Sequence, residues 1–157
     1  MVGREYIARI ASFANALAAG RVLCRVSAPS TGVLLIKRAW FGQISNSNLN
    51  EINALQFVRL STDGSGGAAM VFEERAPGEP AFSGTGAAHD ADGWTEPTIA
   101  NTLDEIPFNL AGGCEWAPTD EDGYVLVPPS ARFGLAIARA PSGSMTWAGG
   151  LVIQELS

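Results

Sequence analysis

The sequence predicts an all-β fold, an antiparallel β-sandwich. Three observations lead there. Turn signals recur about every ten residues, short runs of Val, Ile, Leu, Phe and Trp lie between them, and several of those runs alternate with period two. The 18 Gly and 9 Pro of the 157 residues are clustered, at 28–32, 63–67, 76–80, 90–93, 120–123, 128–129 and 141–143. Clustering of this kind marks connections between ordered segments.

Taken in order, residues 1–19 admit two readings. Tyr6, Ile10, Phe13 and Leu17 recur at helical spacing among many alanines, whereas residues 4–10 also read as a strand. Residues 33–41 begin apolar on both faces, and then Lys37 and Arg38 arrive as an adjacent pair. This predicts a central strand that emerges at one end. Residues 45–52 are polar and read as a loop. Residues 55–60 place Leu55, Phe57 and Arg59 on one face and Gln56, Val58 and Leu60 on the other. Residues 69–74 are a third strand segment. From 76 to 109 strand signal is poor, which predicts one long excursion, with room for one short helix or strand, of the kind that carries functional surfaces. Residues 133–139 alternate cleanly, with Phe133, Leu135, Ile137 and Arg139 opposite Gly134, Ala136 and Ala138. Residues 145–156 form a last alternating strand. Neither a repeat nor a domain boundary is visible, so 1–157 reads as one sandwich domain.

Composition excludes several functions. The formal net charge is −6, from 10 basic and 16 acidic residues. A surface of that sign repels phosphate, which argues against direct nucleic-acid binding. No apolar run reaches the length of a membrane span. Arg4 and Arg9 are not followed by a continuous apolar stretch, which argues against a signal peptide. Cys24 and Cys114 do not make a disulfide framework and read as buried thiols; whether they ever pair stays open.

The residues that could carry chemistry do not assemble into a motif. His89, the one histidine, stands in a polar loop with Asp90 and Asp92, too few ligands for zinc. No Gly-x-Ser-x-Gly elbow accompanies it. In a strand, Glu73 and Glu74 would face opposite sides and could not share a site. Asp120-Glu121-Asp122-Gly123 lacks the ligand alternation of a calcium loop and reads as a tight turn. Asp63-Gly64-Ser65-Gly66-Gly67 has no following Gly-Lys-Ser/Thr and is a connection, not a phosphate loop. Gly84-Thr85-Gly86 is too short for a dinucleotide fingerprint. The expectation is no enzyme, with no catalytic, metal or cofactor-binding residues. Of the four Trp, Trp40 and Trp147 sit in strand patterns and are expected in the core. Trp94 sits in a loop, where an indole either anchors a binding surface or pins the loop.

One stretch carries a resemblance. Gly112-Gly113-Cys114-Glu115-Trp116-Ala117-Pro118-Thr119-Asp120-Glu121 resembles a Gly-aromatic-Glu-Trp-x-Pro-x-x-Glu segment of small virion proteins of tailed bacteriophages. The Pro-rich turn, the strand at 133–139 and the C-terminal Val152-Ile153-Gln154-Glu155-Leu156 follow the same pattern, as does Ser27-Ala28-Pro29-Ser30 with the strand after it. Cys114 replaces the usual aromatic, and Gln154 one of the usual acids.

The resemblance implies a jelly-roll-like β-sandwich on the outer capsid surface, made in the host cytoplasm. Its implied role is a capsid decoration (cement) protein that stabilises the head. The partners are the major capsid protein and, as a homotrimer, further copies of the chain. It also favours a strand or an arm over a helix for the N-terminal segment. An arm carrying Tyr6, Ile7, Ile10 and Phe13 would contact the capsid or a neighbouring protomer; otherwise these side chains fill the protein's own core. The alternative role is a receptor- or glycan-binding module of a head fibre or tail, with Trp94 on its surface.

Overall fold

The computed structural model describes residues 3–15, 22–45, 50–89 and 93–156, the side chains of 11–15 excepted. The described residues form twelve strands: β1 (Gly3–Asn15), β2 (Val22–Ser27), β3 (Val33–Gln43), β4 (Ile52–Leu60), β5 (Ala68–Ala69), β6 (Val71–Glu74), β7 (Thr85–Ala88), β8 (Ile99–Asn109), β9 (Cys114–Trp116), β10 (Val125–Val127), β11 (Arg132–Ile137) and β12 (Met145–Leu156). They make two antiparallel sheets. Sheet A runs β10-β3-β12-β1-β6, with β9 also paired to β3, and sheet B runs β5-β7-β2-β11-β4-β8.

The connectivity is that of a jelly roll. From β1 to β4 the chain crosses between the sheets at every step. After the short strands β5 to β7 it runs along the edge of sheet B as β8, returns to sheet A at β9 and β10, and alternates again through β11 and β12. Alternation of apolar residues is what permits this. Each strand needs one face to bury against the other sheet, and residues 133–137 and 145–153 supply such faces. The two inner faces share one core built from both sheets, including Leu34, Ile36, Phe41, Leu55, Phe57, Phe133, Leu135, Trp147, Leu151 and Ile153. Phe41 stacks on Trp147 with ring centroids 4.8 Å apart, and Phe57 meets Trp116 at 4.7 Å.

The N-terminal segment is a strand. β1 pairs with β12 on one side and β6 on the other, so its helical spacing is overridden by sheet pairing. Both of its edges are filled where β6 lies beside it, which leaves no free edge there for an added strand. Residues 16–20 lie outside the described residues.

The excursion also differs in extent from its prediction over 76–109. Residues 99–109 are strand β8, paired to β4, and not loop. Residues 85–88 are strand β7 as well. β8 leaves little trace in the sequence because seven consecutive residues, 99–105, are exposed, and slips in pairing near Leu103 and Ala100 break any alternation. The excursion proper straddles the sandwich: β6 extends sheet A beside β1, while β5 and β7 extend sheet B beside β2.

Candidate functional site on the open face of sheet A

The two outer faces differ. On sheet B, Val22, Val58, Leu60 and Ala136 point outward yet are buried, with Trp94 packed against them. The excursion covers them. Its limbs are tied by a bridge between Ser65 and Thr95. The Val22 amide donates to Glu96 Oε2 at 3.1 Å. Arg25 Cζ lies 5.4 Å from the centre of the Trp94 ring. Gly67 holds φ of +86°, and a Cβ there would sit 2.5 Å from the indole. Trp94 therefore pins the excursion to its own sheet. His89, in the segment that follows β7, is half-buried beside it, ring centres 5.4 Å apart. Asp90 and Asp92 lie outside the described residues.

Sheet A keeps its outer face open beside the 117–124 connection. A bulge in β3 sets which side chains it presents. Val152 pairs with Arg38, and Ile153 pairs with Ile36, so Lys37 is the extra residue. A bulge turns two successive side chains to one side. Lys37 and Arg38 therefore both face outward, in mid-strand and not at an emerging end. The same slip changes which side chains face the core beyond it: Ala39 and Phe41 are buried. Trp40, expected in the core, faces outward instead.

Four of the five ion pairs among the described residues involve this face. Arg9 pairs with Glu73 at 3.1 Å and Arg38 with Glu115 at 2.7 Å. Glu5 accepts from Arg75 at 2.8 Å and also from Lys37; the fifth pair joins Arg132 to Asp63 on sheet B. Burial pushes the Glu5 carboxyl up, but the bonds and charges of Lys37 and Arg75 outweigh it and hold it below its ordinary value. The Lys37 ammonium lies 5.5 Å from the Tyr124 ring centre.

Trp40 lies over Gly150. A Cβ at Gly150 would sit 2.3 Å from the indole, so only glycine admits the ring there. Beside it is a hollow of about 610 Å³ whose lining includes Trp40, Gly42, Gln43, Gly112, Glu115 and Ala148. On the other side of Trp40 a smaller hollow of about 240 Å³ is lined by Ile7, Lys37 and Tyr124, among others.

The proposed N-terminal contact residues are not brought together on one surface. Tyr6 and Ile10 are buried. The Tyr6 hydroxyl donates to Pro80 O at 2.7 Å, and its ring meets Phe82 edge-on at 5.2 Å. These two thus fill the protein's own core. Ile7 faces outward beside the smaller hollow. Phe13 sits in β1 opposite Trp147 by backbone pairing; its side chain lies outside the described residues. Both cysteines are free. Burial pushes the Cys24 thiol up to about 12 and the Cys114 thiol up to about 11, which disfavours the reactive thiolate.

No protein-family model, curated protein or solved structure matches the chain. The virion resemblance therefore rests on the motif residues themselves.

Proposed function

We propose that this chain is a decoration (cement) protein of a tailed-bacteriophage capsid, bound as a homotrimer to the outer surface of the major capsid protein lattice. The observation that carries the reading is β8 within the jelly roll. The outer strands of the sheet paths are otherwise short, two residues in β5, four in β6 and three in β10, whereas β8 has eleven. Ile99 and Leu103 are exposed on it, 39% and 37%. A long exposed edge risks open-ended strand addition. Here the two slips in its pairing, Asp104, Glu105 and Pro107 blunt that pairing. What remains is contact through side chains, as a lattice-bound module requires. Symmetric repetition of such contacts gives avidity without any strong single one.

The test is binding of the purified protein to particles that lack it. Wild type should saturate the lattice. Leu103→Asp and Ile99→Asp should each weaken binding at least about tenfold, the effect of burying an uncompensated charge, with melting unchanged. Unimpaired variants would remove β8 from the interface, and failure of the wild type to bind any particle would overturn the reading itself.

A further inference from the structure

We propose that the hollow beside Trp40 is a binding site for a neutral oligosaccharide. The inference goes beyond the decoration reading and stands or falls apart from it.

Glycines that packing does not require carry the first part of the argument. At Gly150 the indole forbids a side chain, but Gly42 and Gly112 are different. A Cβ at Gly42 would meet only Gly113 Cα, at 3.6 Å, and one at Gly112 only Asn109 O, at 3.8 Å. Both are ordinary contact distances, and neither residue has a positive φ. Gly42 lies within β3, where glycine weakens a strand and marks places where something approaches closely; Gly112 lies in the turn before β9. A side chain at Gly42 or Gly112 would fill the hollow that the two residues line. Their smallness keeps the floor clear.

The walls say what would fit. Trp40 presents an apolar indole with one polar N–H, suited to the C–H face of a sugar ring. The rim is charged but balanced: Arg38 is paired to Glu115 at 2.7 Å. The Arg38 guanidinium also lies 5.5 Å from the Trp40 ring centre. The Gln43 amide, which donates to Ser45 O at 2.7 Å, stands close by. Such a rim offers donors and acceptors together, which matches hydroxyl groups that are both. It offers no excess charge to an anion, and the chain as a whole carries −6. The volume of about 610 Å³ lies in the range of small-ligand sites. The same indole also lines the second hollow, so a chain of sugars is the better match than one ring.

The experiment is an NMR titration of the isolated ¹⁵N-labelled protein with cellohexaose, chitohexaose and mannohexaose, with sialyllactose as the anionic control. At least one neutral probe should shift the Trp40 indole N–H and the Gly42 and Gly112 amides. Trp40→Ala should weaken that binding about tenfold or more, as loss of an aromatic anchor does. Gly42→Val should do the same by filling the floor while melting at the wild-type temperature or above. The proposal is overturned if no neutral probe shifts these signals, if both variants bind like wild type, or if sialyllactose binds more tightly than every neutral probe.

Discussion

Asn53 completes a sheet that the backbone alone leaves unfinished. β11 ends at Ile137, and two residues on the Asn53 carboxamide takes both backbone groups of Arg139, donating to its carbonyl at 2.8 Å and accepting from its amide at 3.2 Å. Asn53 itself is 3% exposed. Asn53→Leu keeps the volume and removes the partner of the Arg139 amide and carbonyl and of the Ala54 amide, whose bond to Asn53 Oδ1 is 2.8 Å; it should cost about 1–3 kcal/mol in denaturant unfolding. Asn53→Asp keeps the acceptor and should cost less if the Arg139 amide matters more than its carbonyl.

Glu5 ties acid stability to the open face. Its folded-state pKa lies below the ordinary 4.5. A depressed carboxyl contributes stability that is complete above the unfolded value and is lost as pH falls through the folded one. Stability should therefore decline on acidification below about pH 4.5, and Glu5→Gln should make that decline shallower. An equal decline in both proteins, by urea unfolding at about pH 7 and about pH 3, would assign the acid sensitivity elsewhere. The cysteines give a third check at this scale. With thiols at about 12 and about 11, iodoacetamide at neutral pH should leave Cys24 untouched in the native state and label Cys114 slowly, both reacting once unfolded.

Among the elements, β3 shows what sequence pattern can and cannot give. Without a slip, Leu34, Ile36, Arg38 and Trp40 would share a face, which puts Trp40 in the core. The bulge at Lys37 reverses the phase. Its trace in the sequence is the adjacent Lys37-Arg38 pair inside an apolar run, a bulge signal that reads equally well as a strand end. Trp94 is the converse case. Its loop is polar in sequence, but Val58 and Leu60 in β4, Ala136 in β11 and Val22 in β2 leave sheet B apolar outside as well as inside. A sheet apolar on both faces needs a cover, and that was the available clue to the excursion's path. The small residues Gly134 and Ala136, set opposite the core residues of β11, are part of the same surface. Trp94→Ala should uncover it and cost about 2–3 kcal/mol, below the range for a fully buried aromatic. Removing residues 1–13 takes β1 from between β12 and β6 and should abolish cooperative unfolding altogether. A truncated protein that still melts sharply would show that β1 is dispensable to the fold.

For the whole molecule, the jelly roll was legible because residues 133–137 and 145–156 carry their alternation openly, with turn residues at either end. β8 was not legible, since an exposed edge strand has no buried face to write into the sequence and its slips scramble what pattern there is. The candidate site was missed for a related reason: nothing in the order of residues says that Trp40, Gly42, Gly112 and Gly150 meet, because their proximity arises from β3 pairing with both β9 and β12. The decoration role, drawn from the 112–121 motif and from the edge that β8 leaves open, is the claim that most needs a direct measurement. That measurement is a cryo-EM reconstruction of the virion that carries this chain. The account predicts jelly-roll density on the outer capsid lattice, in trimers over the seams between capsid subunits, with β8 turned toward the shell. Density confined to the tail tip or fibre ends, or none on the particle, would contradict it.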